Sequence, residues 1–287
     1  MIDQASKLRN MVESKQERKA DSVKIYSIVS GKGGVGKTNF AVNLAIKLQQ
    51  MGKRVLILDG DLGMSNANII LGVDLLTNLS YMLDGEASLE EIILEGPEGV
   101  HLISGGADLL LMETLDEEKS QFILDSLNDL GAYDIIIIDN GAGISKQSLT
   151  FSIFAHEIIL ITTPEPTALT DAYRVLKVTS THKLKDSIKL VINQIHSKDE
   201  GEIAFSKLQA TAEKFLNVRL EKLGFIYNDV RMNKSIMDQV PLVIKYPKSL
   251  ASKNIDEISV NILTDSNYEA DISNFKEFTN RIRRFFG

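Results

Sequence analysis

VSGKGGVGKTN, Val29 to Asn39, is the stretch whose reading decides the fold. Gly31, four further residues and then Gly36-Lys37-Thr38 have the spacing of a phosphate-binding loop. The setting suits that reading. A β-branched run, KIYSIVS (24–30), precedes the loop, and a helical pattern over 38–51 follows it. Glycines let backbone N–H groups turn inward around phosphate oxygens, and the helix that follows points its positive end at the same place. Lys37 is expected to reach the β- and γ-phosphates and Thr38 to hold Mg2+, with Gly31, Gly33, Gly34, Val35, Gly36 and Asn39 completing the cradle. One residue is left over. Lys32 stands where the ordinary loop accepts almost anything.

Away from the loop the alternation continues. The runs RVLILD (54–59), VHLIS (100–104), YDIIIID (133–139), EIILIT (157–162), IKLVIN (188–193) and RLEKLGFIY (219–227) are separated by helical stretches that include 116–130, 167–183, 201–216 and 248–263. Several runs are apolar throughout, as strands covered on both faces must be. The pattern predicts an α/β fold, a doubly wound and mostly parallel sheet flanked by helices, in one domain over 24–263. No internal repeat and no Pro/Gly/Ser-rich linker divides it. Residues 1–23 and 271–287 fall outside the pattern.

Composition excludes several classes. A chain of 287 residues can bury a sizeable core, and 44% apolar with 25% charged residues is ordinary for a globular protein. The absence of cysteine removes disulfides, thiolate catalysis and cysteine-held clusters together. The four histidines, His101, His156, His182 and His196, have no ligand spacing, so no structural metal site is expected from them. A net charge of −7 argues against coating nucleic acid by overall basicity. No apolar run approaches the ~20 residues of a membrane-spanning helix. The mixed charges of the first residues do not make a signal peptide, so the expected location is the cytoplasm or a membrane surface.

The string GKGGVGKT resembles the deviant phosphate loop of the MinD/ParA family of ATPases. The resemblance implies an enzyme that binds ATP and Mg2+ and dimerises around nucleotide, Lys32 reaching across to the phosphates held by a second copy. LILDGDLGMSNANIILG (56–72) looks like the family's first switch: Asp61 takes the place that orients the attacking water, and Asp59 the place that supports Mg2+ through water. Ser65 or Asn66 is placed to cap the helix that follows. YDIIIIDNGAGIS (133–145) is similar to a Walker B strand entering the second switch, with Asp139 as the other metal-supporting carboxylate. Asn140 departs from the family there, since relatives usually carry Thr or Ala. VINQ ends a strand at Asn193, which resembles the family's adenine-reading Asn; an amide both donates and accepts. The stretch 224–255 resembles the segment flanking the adenine, with Asp229 as the candidate contact and Tyr227 where relatives often have Pro. Lys32, Lys37 and Asp61 are the catalytic residues this implies.

The two ends separate the branches of the family. In DISNFKEFTNRIRRFFG (271–287), Ile272, Phe275, Phe278, Ile282, Phe285 and Phe286 share one helical face, with Lys276, Arg281, Arg283 and Arg284 around the other. That describes a helix lying in an anionic membrane interface, with Phe275, Phe278, Ile282, Phe285 and Phe286 toward lipid; the bland reading is a last helix packed on the sheet. Six half-buried apolar side chains supply on the order of 5–7 kcal/mol before ordering costs, so one helix holds lipid weakly. Two on one dimer gain roughly 10²-fold or more from effective concentration.

At the other end, Asp3 can cap a short helix whose Ile2, Ala5, Leu8 and Met11 or Val12 share a face. DQASKLR resembles the DQAxxLR motif of the FlhG (FleN) branch, MinD-like regulators of flagellar number and placement; Asp3, Gln4, Ala5, Leu8 and Arg9 match it. In that branch the arm stimulates a partner GTPase of the FlhF type. The resemblance therefore implies as partners a second copy, an FlhF-type GTPase and the inner face of the cytoplasmic membrane, at a pole or flagellar base. Flagellar switch-complex proteins or a transcription regulator are further candidates, and no direct contact with DNA is expected. Four other readings share the core. A MinD-type division-site regulator begins almost at its first strand, and a ParA-type DNA-segregation ATPase needs a basic patch in place of a Phe-rich tail. A redox relative needs cysteines. A metabolic amide or carboxy ligase needs a substrate pocket that one sequence does not reveal.

Overall fold

The computed structural model describes residues 23–60, 66–78, 81–82, 85–105, 133–143, 152, 155–216 and 218–265. Residues 1–22 of the arm, the helix expected over 116–130 and the tail 271–287 lie outside the described residues. The strands are β1 Lys24–Val29, β2 Val55–Gly60, β3 Leu94–Glu95, β4 His101–Ser104, β5 Ile135–Asn140, β6 Glu157–Thr162, β7 Ser187–Ile195 and β8 Arg219–Tyr227. The described helices are α1 Lys37–Gln50, α2 Ala67–Leu71, α3 Leu89–Ile92, α4 Pro166–Thr181, α5 Lys198–Phe215, α6 Val230–Met237, α7 Leu242–Lys245 and α8 Leu250–Thr264, with a 3-10 turn at Pro97–Gly99.

The strands form one sheet in the order β3-β4-β2-β5-β1-β6-β7-β8, and every neighbouring pair except β3–β4 is parallel. Parallel neighbours need crossovers, and crossovers lie over the faces, so β1 and β5 are buried along their whole length. Successive side chains serve opposite layers. Tyr26 and Ile28 pack with Phe40 and Leu44 of α1 and Ile255 of α8, whereas Val29 packs with Leu176 of α4 and Leu208 of α5. The chain leaves β1 toward β2 on one side and later crosses from β5 to β6 on the other. Strand order therefore reverses at β1, and the carboxyl end of β1 is a switch point, the usual place for a ligand in an open α/β sheet.

At the opposite, amino ends of the strands, β1, β6, β7 and β8 bring charged side chains together. Lys24 pairs with Glu157 at 2.7 Å; Lys189 reaches Glu157 at 3.1 Å, Glu221 at 3.4 Å, and also Asp265, the residue that ends α8. Lys24, Glu157, Lys189 and Glu221 alternate in sign from strand to strand, and Arg219, which opens β8, pairs with Glu221 as well. Burial alone would lower the Lys189 ammonium, only 7% exposed, but the bond to Asp265 and the Glu157 carboxylate outweigh it and hold its pKa above the ordinary value.

Candidate functional site

The loop between β1 and α1 stands at that switch point. Gly36 adopts φ +90° at the helix entry, the left-handed region a glycine enters freely. A Cβ there would lie 2.5 Å from Asn193 Nδ2; a Cβ on Gly31 would lie 2.2 Å from the carbonyl carbon of Asp171 in α4. The loop is thus seated on its own surroundings from behind. The hydroxyl of Ser30 donates to the Lys32 carbonyl at 3.1 Å and steadies its first turn.

Lys37 opens α1 with its ammonium on Asp139 Oδ1 at 2.6 Å, both side chains buried. Asp59 stands beside Asp139 in register on β2 and is buried as well. Burial pushes the Asp139 carboxyl up, Lys37 draws it back, and Asp59 adds to the rise. Asp139 Oδ2 and Asn39 Oδ1 are buried acceptors without a hydrogen-bond partner in the protein. Unfilled oxygen acceptors beside a threonine hydroxyl suit a hard, hydrated divalent cation. Thr38, Asp59 and Asp139 therefore fit Mg2+ brought in with phosphates.

Asp59 has a further contact that the sequence did not suggest. Its Oδ2 accepts from the backbone N–H of Asn66 at 3.2 Å and of Ala67 at 3.3 Å, so it caps α2 from the neighbouring strand. Asn66 occupies the cap position but its side chain makes no capping bond, which corrects the expectation placed on it. Ser65, like Asp61, lies outside the described residues.

Lys32 rests within its own chain: its Nζ donates to Glu165 Oε2 at 3.0 Å and to Thr167 Oγ1 at 3.2 Å, and the ion pair is exposed. Asn193 is also engaged. Its Nδ2 donates to the Val35 carbonyl at 2.8 Å, its Oδ1 accepts from the Gln194 N–H at 2.9 Å, and so it braces the phosphate loop. Two of its four hydrogen-bonding positions remain for a base edge. Asp229 caps α6. Burial would raise it, but the N–H and guanidinium of Arg231 hold its carboxyl below the usual range.

A cleft of about 370 Å³ opens above the loop, lined by Lys32 to Asn39 together with Asn66, Ile69, Ile70, Ala142 and Ile236. Asn193 and Asp229 lie outside that lining. Sequence reasoning missed the apolar rim and the Glu165–Thr167 rest for Lys32. One signal was available: Pro166 after an apolar run marks a helix start on the same sheet edge as the loop, which brings the residues around it near Lys32.

A glycine loop so placed at the switch point of a parallel sheet belongs to the P-loop nucleotide-binding proteins. Within that class the chain belongs to the CobQ/CobB/MinD/ParA nucleotide-binding family, whose model matches residues 26–243. It is an ATPase of the MinD/ParA type. It is 32% identical over 239 residues to the antiactivator FleN of Pseudomonas aeruginosa, covering 83% of this chain and 85% of that one. It is 33% identical over 297 residues to the flagellum site-determining protein YlxH of Helicobacter pylori, covering 100% of both. Among solved structures, septum site-determining MinD of Pyrococcus horikoshii, complexed with Mg-ADP, superposes with a TM-score of 0.67 at 29% identity, covering 87% of this chain and 100% of that one. Among the described residues no helix is long and apolar enough to cross a membrane.

Proposed function

We propose that this chain is an ATP-gated regulator of flagellar number and placement, built from an activator arm (1–23), an ATPase domain (24–263) and a lipid-binding tail (271–287). One observation carries the reading. Two flagellar regulators align with this chain at 32% and 33% identity, one of them over its whole length.

The loop N–H groups and the α1 terminus receive the phosphates of ATP. Lys37, paired with Asp139 at 2.6 Å at rest, turns to the β- and γ-phosphates. Thr38, with Asp59 and Asp139 behind it, would hold Mg2+, which would supply positive charge beside the phosphates. Asp61 orients the attacking water, and Asn193 with Asp229 borders the adenine. Lys32 leaves Glu165, an exposed pair worth about 0–1 kcal/mol, for the phosphates bound by a second copy. Nucleotide thereby becomes part of the dimer interface, and the dimer presents two tails to the inner face of the cytoplasmic membrane. The arm then acts on an FlhF-type GTPase.

The test adds a peptide of residues 1–20 to a purified FlhF-type GTPase and follows GTP hydrolysis. Stimulation that vanishes when Gln4 and Leu8 are replaced by Ala is the expected result. Absence of stimulation would leave a MinD-type ATPase with another partner.

A further inference from the structure

α6 is turned inside out for a helix on the surface of a globular domain. Its inner side carries Ser235, which is buried and donates to the Met232 carbonyl at 2.8 Å, beside the partly buried Met232 and Ile236. Its outer side carries Val230, 75% exposed, then Lys234, then Met237, 83% exposed; spacings of four and three residues set them in one row. A surface helix normally faces the other way, because an exposed valine and methionine add nothing to the core. The row does not end with the helix. Against burial, the Asp229 carboxyl is held low by Arg231 and also by the Ala251 N–H at the start of α8. That brings the residues next to them in the chain, the exposed Val230 and Leu250, to the same surface.

The charges around this row lean to one sign. Residues 229–253 hold five cations, Arg231, Lys234, Lys245, Lys248 and Lys253, against the carboxylates of Asp229 and Asp238, in a chain whose net charge is −7. Both carboxylates are taken: Asp229 pairs with Arg231 at 2.9 Å, and Asp238 pairs with Lys245. Lys234, Lys248 and Lys253 are exposed and form no ion pair among the described residues. The next acids, Asp256 and Glu257, come about a turn further along α8, and Asp256 already pairs with Lys47 at 3.2 Å. Cations alone would suit any polyanion. A nucleic-acid backbone, however, offers a valine and a methionine nothing to enter, and a partner helix is received in a groove, whereas these side chains project. Apolar tips within a basic rim match an anionic bilayer, where the tips enter the headgroup boundary and the ammonium groups stay at the phosphates.

We infer that the outer side of α6 and the start of α8 form a second, folded contact with anionic phospholipid, one that fixes how the ATPase domain faces the membrane. The inference rests on the proposed membrane association, but every residue it uses belongs to the described domain. Ile236 of the same helix lines the nucleotide cleft, so lipid and nucleotide meet opposite sides of α6. The chain contains no tryptophan, so Met237→Trp in the full chain puts a single indole at the contact. Vesicles of equal parts phosphatidylcholine and phosphatidylglycerol are added with ATP. Emission, quenching by lipid brominated on its acyl chains and co-sedimentation are then read together. The expected result is a blue shift with quenching. Vesicle binding is also expected to weaken at least tenfold when Lys234→Gln and Lys248→Gln are combined, at about fivefold per charge lost. All three positions are exposed, so the substitutions leave the fold intact. Sedimentation with vesicles while the indole stays unquenched would overturn this contact and leave the tail as the membrane site. No sedimentation would overturn both. A blue shift with duplex DNA or an acidic peptide, and none with vesicles, would overturn the lipid contact and assign the patch to that partner.

Discussion

Gly31 and Gly34 belong to the same loop but answer to different constraints. A Cβ on Gly31 would press to 2.2 Å from backbone of α4, which cannot yield as a flexible side chain does, whereas Gly34 has φ +80° and nothing within 4 Å of its Cβ position. Gly34→Ala should therefore cost only the left-handed strain, about 1–2 kcal/mol. Gly31→Ala should cost several times more, because a helix must move. Thermal melts of the two variants side by side check this; equal shifts would mean that α4 does not rest on the loop. Lys32 and its rest partner show the limit of sequence reading at this scale. The lysine stood out from the loop pattern, but Glu165 is 133 residues away along the chain, and no local spacing links the pair.

The elements that the sequence revealed are those whose burial writes a pattern. β1, β2, β5 and β6 are apolar or nearly so throughout and agree with the structure to within about two residues at either end. β3 was missed because its two residues are too few to show alternation, and α7 because one turn has no period. α6 was missed for another reason: it exposes Val230 and Met237 and buries Ser235, so its apolar residues do not mark its inner face. In the site, Lys37, Asp59 and Asp139 were legible because they follow runs that end at one sheet edge. The capping of α2 by Asp59 was not, since it joins different elements. Buried charge was equally invisible. Lys189→Met should lower stability by about 3 kcal/mol, because Glu157, Glu221 and Asp265 lose their shared ammonium in partly buried positions. Urea unfolding reads the change; an unaltered midpoint would show that Lys24, Arg219 and water suffice for those carboxylates.

The response of the whole molecule to pH follows from the direction of each shift. Burial works against ionisation of Asp134 and Glu221, but Arg54 holds the first, and Arg219 with Lys189 the second, below the ordinary carboxylate range. Their stabilising contribution is present above the unfolded pKa and is lost as pH falls through the lower folded values, below about 4. Asp139 runs the other way, since burial raises it and protonation relieves it, so it softens the acid limb. Lys189 is raised, and burial pushes the Tyr133 phenol up to about 12. Both contribute fully below their unfolded values near 10 and lose that contribution as pH climbs through the folded ones. The melting temperature should be flat between about pH 5 and 9 and fall on both sides, more steeply in alkali. A scan of melting temperature against pH checks this, and a maximum at alkaline pH would contradict it. The alternating charges at the feet of the strands have one more consequence. β1, β6 and β7 are all largely apolar and buried, and a growing sheet could add them in several orders. With Lys24, Glu157 and Lys189 at their feet, exchanging β6 with either neighbour sets ammonium against ammonium, so these charges proofread the finished strand order.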